Sequence, residues 1–210
     1  MTVQAGRYLE ADPIGQRRDT WVVTGQGGTD DWLPVNASRP VNGPIHLAPY
    51  DPGWPAQYEQ EADRLSAVLG DRMLAVHHVG STSVPGLPAK PIIDIVMAVA
   101  DSEDETTYVP DLEAAGYTLR IREPEWFEHR MFKGPGADIN LHVFTLGCTE
   151  IDRMIRFRDR LRSDEQDRQR YTETKQELAA HHWDVVQSYA DAKSDVVRSI
   201  MKRATESTDS

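Results

Sequence analysis

The 210-residue sequence has little of several features that would assign a protein to a class at once. Its single cysteine, Cys148, excludes an intrachain disulfide and a cysteine-cluster metal site. No apolar run approaches the roughly 20 residues that span a bilayer, and the first residues lack the apolar core of a signal peptide. We therefore expect a cytoplasmic protein that does not enter a membrane.

Basic residues are also few. Lys and Arg number 23 against 34 Asp and Glu, which gives a formal net charge of −11. Binding to nucleic acid or to an acidic membrane surface needs a broad basic face, so neither is expected. A local basic pocket for a small anion remains compatible with this charge. The sequence does not indicate the oligomeric state.

Hydrophobic residues make up 39% and charged residues 27%, as in an ordinary globular protein. Gly, Asp, Asn and Pro are frequent in residues 1–44, which we interpret as an N-terminal extension with a candidate short hairpin at 20–23 and 32–35. Residues 45–148 mix helix and strand patterns, residues 149–203 are helical, and 204–210 are expected to be a disordered tail.

Hydrophobic periodicity predicts the elements of the two central segments. Helical spacing covers 54–69, with Gly70 ending the helix, and a capping pattern at Ser102 and Glu105 predicts a second helix over 102–116 that Pro110 interrupts or restarts. Strand patterns cover 74–79, 91–100, 117–122, 129–133 and 139–145. Three more helices are predicted over 151–162, 164–181 and 183–203. The fold class is therefore α+β, with a C-terminal helical bundle.

The stretch HHVGSTSVPGLPAKPIIDIVMAV carries the strongest chemical pattern. Gly80 and Ser81 follow a strand, where backbone N–H groups and a hydroxyl can hold a phosphate. Lys90 is the one cation of the loop. Asp94 lies on an otherwise apolar strand, where an ionised carboxylate needs a cation, a metal ion or a strong donor. Because strand side chains alternate, Asp94 shares a face with Val96.

This stretch resembles the signature of the GrpB-like family, a branch of the nucleotidyltransferase superfamily related to DNA polymerase β. The resemblance extends over about residues 45–203 and includes APYDPGWPAQYEQEADRL, EHRMFKGPGADINLHVF, FRDRLRSDEQDRQRYTETKQELA and YADAKSDVV. It implies a nucleotidyltransferase-like mixed sheet with flanking helices, a nucleotide substrate and a bound Mg²⁺.

The resemblance also implies site residues. Asp94 matches the first metal-binding acid of the superfamily, but Val96 stands where a second acid is usual. Asp138, Asn140 and His142 share one face of a later strand, and His142 matches the place of the third acid. Asp94 and His142 are therefore the candidate catalytic residues, and Asp94, His142 and Asp138 are the candidate metal ligands. Histidine is a softer ligand than magnesium prefers.

Other residues are candidates for the pocket. Arg130 and Lys133, like Lys90, could bind phosphate. Tyr171 with Lys175, and Tyr189 with Lys193, lie four residues apart on helix faces, where each lysine either covers its ring or lines a cleft against the sheet. The candidate pocket wall consists of His78, Asn140, Arg158, Tyr171, Lys175, Tyr189 and Lys193.

Three functions fit these residues. The first is a nucleotidyltransferase-like enzyme that binds a nucleoside triphosphate and acts on a small-molecule acceptor. The second is a binding module that keeps the phosphate pocket without catalysis, which the valine at position 96 favours. The third is a diverged enzyme that uses the same pocket for another group transfer, such as amide-bond formation, with His142 as a base.

Overall fold

The computed structural model describes residues 40–43, 45–136 and 138–206, so the predicted hairpin in the N-terminal extension lies outside the described residues. The strands are β1 (Pro40–Gly43), β2 (Ala75–Val79), β3 (Ile93–Val99), β4 (Thr118–Glu123), β5 (His129–Lys133), β6 (Ile139–Thr145) and β7 (Trp183–Val185). Five of them form the central mixed sheet, in the order β2-β3-β6-β5-β4. β3 and β6 are parallel, and the other neighbours in this sheet are antiparallel.

The helices follow the same chain order. They are α1 (Trp54–Leu69), α2 (Val109–Ala114), α3 (Thr149–Ser163), α4 (Glu165–Ala179), α5 (Val186–Ala192) and α6 (Ser194–Glu206). The prediction for 54–69 is confirmed, and Gly70 ends α1 at a φ of 56° that favours glycine. None of the helices in the described ranges is both long enough and apolar enough to cross a bilayer.

Two predicted helices were wrong in extent. Residues 102–116 form only a 3₁₀ turn at Glu105–Thr107 and the short α2, because the Ser102 hydroxyl bonds to Thr145 and does not cap a helix. The predicted helix 183–203 is interrupted, because residues 183–185 pair with β1 and the chain breaks again between α5 and α6 at Lys193. α6 continues to Glu206, so residues 204–206 belong to a helix and not to the predicted tail.

The two faces of the sheet have different partners. One face packs on α1 and α2 through a core that includes Ile93, Ile95 and Met97. The opposite face carries Asp94 and Val96, as strand alternation predicts, and faces the C-terminal helices. Val84 and Leu87, in the loop after β2, are buried with side chains of α3, α4 and α6. The helical half is therefore packed onto the sheet as one wall of a cleft, as the pattern predicted.

Candidate functional site

A cavity of about 50 Å³ lies between this face of the sheet and the C-terminal helices. Such a volume holds a few water molecules or one phosphate-sized group. β2, β3, β5, β6 and the loop after β2 supply one side, and α3, α4, α5 and the α5–α6 junction supply the other. The lining residues are Leu47, Val79, Gly80, Ser81, Lys90, Ile92, Asp94, Trp126, His129, His142, Met154, Phe157, Tyr171, Lys175, Tyr189 and Lys193.

Asp94 is the only acid among the described residues that line this cavity. The strand register places it beside Asn140, whose Nδ2 donates to Asp94 Oδ1 over 2.7 Å. Burial raises the pKa of Asp94, while the bond from Asn140 and the charges of Lys133, Lys90 and Lys193 act in the opposite direction. The donors and cations expected near this carboxylate are therefore the Asn140 amide and the lysines Lys133, Lys90 and Lys193.

Gly80 lies against Asp94. Its φ of 68° and ψ of −171° fall in a region that residues with a side chain rarely adopt. A Cβ at this position would lie 2.4 Å from Asp94 Oδ2. Position 80 therefore requires glycine, because a larger residue would clash with the Asp94 carboxylate. The missing side chain also leaves room for a ligand to approach the loop.

Ser81 joins the loop to the helical half. Lys175 Nζ donates to Ser81 Oγ over 2.8 Å and to the carbonyl oxygen of Pro88 over 2.6 Å. The Tyr171 side chain also hydrogen-bonds to Ser81, and burial raises the pKa of Tyr171 to about 12. Burial lowers the pKa of Lys175 to about 7, with the nearby charge of Lys90 acting in the same direction.

Lys90 and Lys193 approach the same ring, that of Tyr189. Their Nζ atoms lie 5.2 and 4.4 Å from its centroid, and Lys175 Nζ lies 5.3 Å from the centroid of Tyr171. Burial lowers the pKa of Lys193 to about 7, and the charge of Lys175 lowers it further. The sequence left open whether each helical lysine covers an aromatic ring or lines a cleft. Lys175 and Lys193 do both, because each lies over a tyrosine ring and also lines the cavity.

His142 is connected to a residue that sequence reasoning missed. His129 Nε2 lies 3.0 Å from His142 Nδ1, and His129 Nδ1 lies 2.8 Å from Glu123 Oε2. His142 Nε2 lies 4.0 Å from Asp94 Oδ1. Burial lowers the pKa of His142 well below its usual value, and the charges of His129 and Lys133 act in the same direction. Side chains two or four residues apart in a strand share a face, so His129 shares the face of Lys133, which was already a candidate for the pocket. This alternation was the signal that could have identified His129.

The two cations predicted together on this strand lie on opposite faces, because their separation of three residues is odd. Arg130 points away from the cavity, and its Nε donates to Glu105 Oε1 over 2.5 Å. Lys133 is buried beside Asn140 in the register, and its charge favours ionised Asp94, but it is not among the lining residues. Asp138 precedes β6, is exposed and does not line the cavity.

His78 and Arg158 belong to the packing around the site. Thr82 Oγ1 donates to the carbonyl oxygen of Ile92, so His78 Nε2 donates to Thr82 Oγ1 over 3.1 Å. Burial and the charges of Arg162 and Arg158 lower the pKa of His78 to about 4, which keeps it neutral. Arg158 donates to Asp159 and to the carbonyl oxygen of His78, and neither His78 nor Arg158 lines the cavity.

The side chains do not fit a magnesium ion held by the protein. Within the described ranges, no group of three or more His, Cys, Asp or Glu residues could hold a metal. Val96, in the place of the second acid, is fully buried among apolar side chains that include Val79, Ala98 and Met154. Asp138 is exposed, and three lysines stand around Asp94 instead of further carboxylates.

Comparisons with known proteins agree with this architecture. The family model described as "GrpB protein" matches residues 44–203. A UPF0157 protein of Halalkalibacterium halodurans is 63% identical over 170 residues, which cover 81% of this chain and 87% of the relative. A dephospho-CoA kinase of Mycolicibacterium paratuberculosis is 30% identical over 193 residues, which cover 80% of this chain and 47% of the kinase.

A solved structure shares the fold. The crystal structure of the conserved protein GrpB from Enterococcus faecalis superposes with a TM-score of 0.68 and 32% sequence identity, covering 79% of this chain and 100% of that one. The strand carrying Asp94, the preceding Gly80–Ser81 loop, α3, α4, α5 and most of α6 lie inside the matched range. The chain therefore belongs to the GrpB family, in agreement with the nucleotidyltransferase-superfamily fold that its sequence resembles.

Proposed function

We propose that the protein is a cytoplasmic enzyme that binds the phosphates of a nucleoside triphosphate in this cavity and transfers a group from it to a small-molecule acceptor. The observation that carries the proposal is the convergence of three buried lysines, Lys90, Lys175 and Lys193, around the Gly80–Ser81 loop and a single acid.

The charge balance of the cavity supports an anionic ligand. Burying an ammonium group costs free energy unless an anion accompanies it. Three lysines face one carboxylate here, and burial lowers the pKa of Lys175 and of Lys193 to about 7, which disfavours their charged forms in the empty cavity. A phosphate group would supply the missing negative charge. Clustered groups with strongly shifted pKa values in a cavity are typical of functional sites.

One buried hydroxyl of the cavity also supports a ligand. The Tyr189 hydroxyl is buried and has no hydrogen-bond partner among the described residues, which is unusual for a buried polar group. It lines the cavity together with Ser81. These hydroxyls and the lysines could bind phosphate oxygens, and the lysines would stabilise negative charge that develops during transfer.

The cavity volume determines how a nucleotide would fit. About 50 Å³ accommodates a phosphate group and not a whole nucleotide. One phosphate group would therefore enter the cavity as it stands. Entry of the whole triphosphate together with an acceptor would need the C-terminal helices to move outward. Because the residues do not form a magnesium site, we assign the charge-neutralising role to the lysines and derive no step through a metal.

A non-catalytic phosphate-binding module is the second candidate. It is favoured by the apolar surroundings of Val96, which leave Asp94 without the further acids of an orthodox two-metal site. The similarity to one half of a dephospho-CoA kinase is compatible with either role, since it points to nucleotide-related metabolism without naming an activity.

Calorimetric titration with inorganic triphosphate and with nucleoside triphosphates tests the binding. Lys193→Met keeps the buried stem and removes the charge. We expect it to weaken binding about tenfold to a hundredfold, the effect of losing one charged hydrogen bond. Lys202→Met, at an exposed position of α6, is the matched control and should bind like wild type. Equal affinities of wild type and Lys193→Met would refute the phosphate site.

Pyrophosphate release distinguishes the enzyme from the binding module. With a nucleoside triphosphate and a mixture of small amines, alcohols and acids, we expect turnover by wild type and none by Asp94→Asn, which removes charge with little change of volume. Asp138→Asn alters an exposed aspartate outside the cavity and should retain turnover. Binding without turnover in the wild type would favour the binding module, and full turnover in Asp94→Asn would place the chemistry elsewhere.

A further inference from the structure

A hydrogen-bonded chain of three side chains runs from the protein surface to the cavity. It begins at Glu123, whose side chain is 39% exposed, passes through fully buried His129, and ends at His142. The two links measure 2.8 and 3.0 Å. Beyond the chain, His142 Nε2 lies 4.0 Å from Asp94 Oδ1, a separation too long for a direct hydrogen bond.

The positions of the protons follow from the chemistry of the first link. An ionised carboxylate only accepts, so His129 Nδ1 must donate its hydrogen to Glu123. In neutral His129 the other nitrogen, Nε2, then carries a lone pair. The bond at 3.0 Å can form only if His142 Nδ1 donates to it. His142 Nε2 is consequently left without a hydrogen, and its lone pair faces the cavity.

Two acceptors therefore lie near one another in the cavity: the lone pair of His142 Nε2, and Asp94 Oδ1, which accepts one hydrogen from Asn140 Nδ2 and keeps a second lone pair. Two acceptors 4.0 Å apart are satisfied by a donor that has two hydrogens on one atom. A primary amine has such a pair of N–H groups. The hydroxyl of an alcohol has one hydrogen and can satisfy only one of the two.

We propose that Glu123 and His129 fix His142 as a proton acceptor beside Asp94, and that this pair receives a primary amine as the acceptor substrate of the transfer. This inference rests on the proposed function and names its acceptor class. His142 touches the reacting nitrogen, whereas Glu123 and His129 are positioning residues that act through it.

In the transfer step, the amine nitrogen forms a bond to the α-phosphorus of the nucleoside triphosphate, and the bond from that phosphorus to the pyrophosphate oxygen breaks. One N–H proton passes to His142 Nε2, and pyrophosphate leaves with the bonding electron pair. The imidazolium that forms keeps its Nδ1–H bonded to His129, and the carboxylates of Asp94 and Glu123 stabilise its charge.

The turn before β5 has an unusual backbone next to His129. Phe127 and Glu128 adopt φ values of 54° and 52°, which cost about 1 kcal/mol or more each for residues with a side chain. The turn places the Trp126 ring edge against His129, with 5.1 Å between the ring centroids. Backbone strain of this kind clusters at functional sites, and these two residues directly precede His129.

The surroundings of His142 keep it neutral in the absence of substrate. The charged and titratable groups near it are Asp94 on β3, His129 and Lys133 on β5, and the cavity lysines that act on Asp94. Burial lowers the pKa of His142, and the charge of Lys133 acts in the same direction, even while His129 is neutral. A second proton on His129 would make its Nε2 a donor, so His142 would then carry its hydrogen on Nε2 and lose its role as an acceptor.

Nuclear magnetic resonance of ¹⁵N-labelled histidines in the full chain at pH 8 tests the tautomer without any nucleotide. We expect His142 to carry its hydrogen on Nδ1 in the wild type. Glu123→Gln, whose amide can donate as well as accept, should move the tautomer ratio of His142 towards parity. Glu125→Gln, at an exposed position nearby, should leave it unchanged. A hydrogen on His142 Nε2 in the wild type would overturn the inference.

Methylamine and methanol, each added with inorganic triphosphate, test the acceptor class. Methylamine should shift the His142 Nε2 resonance and methanol should not, and the shift should diminish in Glu123→Gln. Equal responses to the two probes would overturn the amine assignment. Because triphosphate binding is measured separately, its loss would refute the proposed phosphate site, while binding with the wrong tautomer would refute only this inference.

Discussion

Replacing Gly80 by alanine should damage the site and the stability together. The new Cβ would lie 2.4 Å from Asp94 Oδ2, 2.9 Å from its Cβ and 3.0 Å from its Cγ. Carbon and oxygen atoms do not approach so closely, so either the loop or Asp94 must move. Asp94 is held by Asn140 and by strand pairing on both sides of β3, which makes its displacement costly.

The size of the effect can be worked out from two contributions. The backbone at Gly80, with φ 68° and ψ −171°, would cost an alanine about 1–3 kcal/mol. Moving Asp94 would break its bond with Asn140 and leave a buried polar group unsatisfied, which costs about 1–3 kcal/mol more. We therefore expect Gly80→Ala to lower the free energy of unfolding by roughly 2–6 kcal/mol.

Urea denaturation measures this difference, and Gly86→Ala provides the control. Gly86 also has a positive φ, 79°, but an added Cβ there would meet nothing within 4 Å. It should cost only about 1–2 kcal/mol, from the backbone alone. If Gly80→Ala were no more destabilising than Gly86→Ala, the close approach of Gly80 to Asp94 would not constrain position 80.

Three further predictions concern the lysines and Val96. Because the pKa values of Lys175 and Lys193 lie near 7 in the folded protein and at 10.5 in the unfolded chain, the unfolded chain binds more protons between these values. The free energy of unfolding, measured by urea denaturation, should therefore rise with pH from 7 to 10.5. A flat profile, or the same rise in Lys193→Met, would contradict this. Triphosphate binding at pH 8 should be accompanied by proton uptake, because the anion raises the pKa values of both lysines. Calorimetry in two buffers of different ionisation enthalpy measures this uptake, and equal binding enthalpies in the two buffers would contradict the prediction. Val96→Asp should destabilise the protein by several kcal/mol, because the carboxylate would be buried among apolar groups. Recovery of its melting temperature by added Mg²⁺ would instead indicate a latent metal site.

Regular patterns gave the reliable predictions. The helix over 54–69 and the strands 129–133 and 139–145 were confirmed because their apolar side chains face the core at a fixed period. The helix predicted over 183–203 failed because the pairing of β7 with β1 is a contact between distant segments. No local pattern predicts such a contact. A second break, between α5 and α6, places Lys193 at a helix junction beside the cavity.

Strand alternation predicted which strand residues of the site share a face of the sheet. Asp94, Asn140 and His142 share a face, and alternation also explains why Arg130 lies on the other one. The lysines of the helical half were identified by their spacing, but only the fold brings them to Asp94. The bond between His129 and His142 depends on which strands are neighbours, which the sequence alone does not specify.

A crystal structure of the protein with a non-hydrolysable nucleoside triphosphate would show where the phosphates bind. We expect a phosphate group within hydrogen-bonding distance of Ser81 Oγ and Lys193 Nζ, beside Asp94. Arg158 and Arg162, which lie outside the cavity lining and pair with Asp159, are the alternative cations. Phosphates bound to those arginines, with the lysine cavity unchanged, would refute the proposed phosphate site.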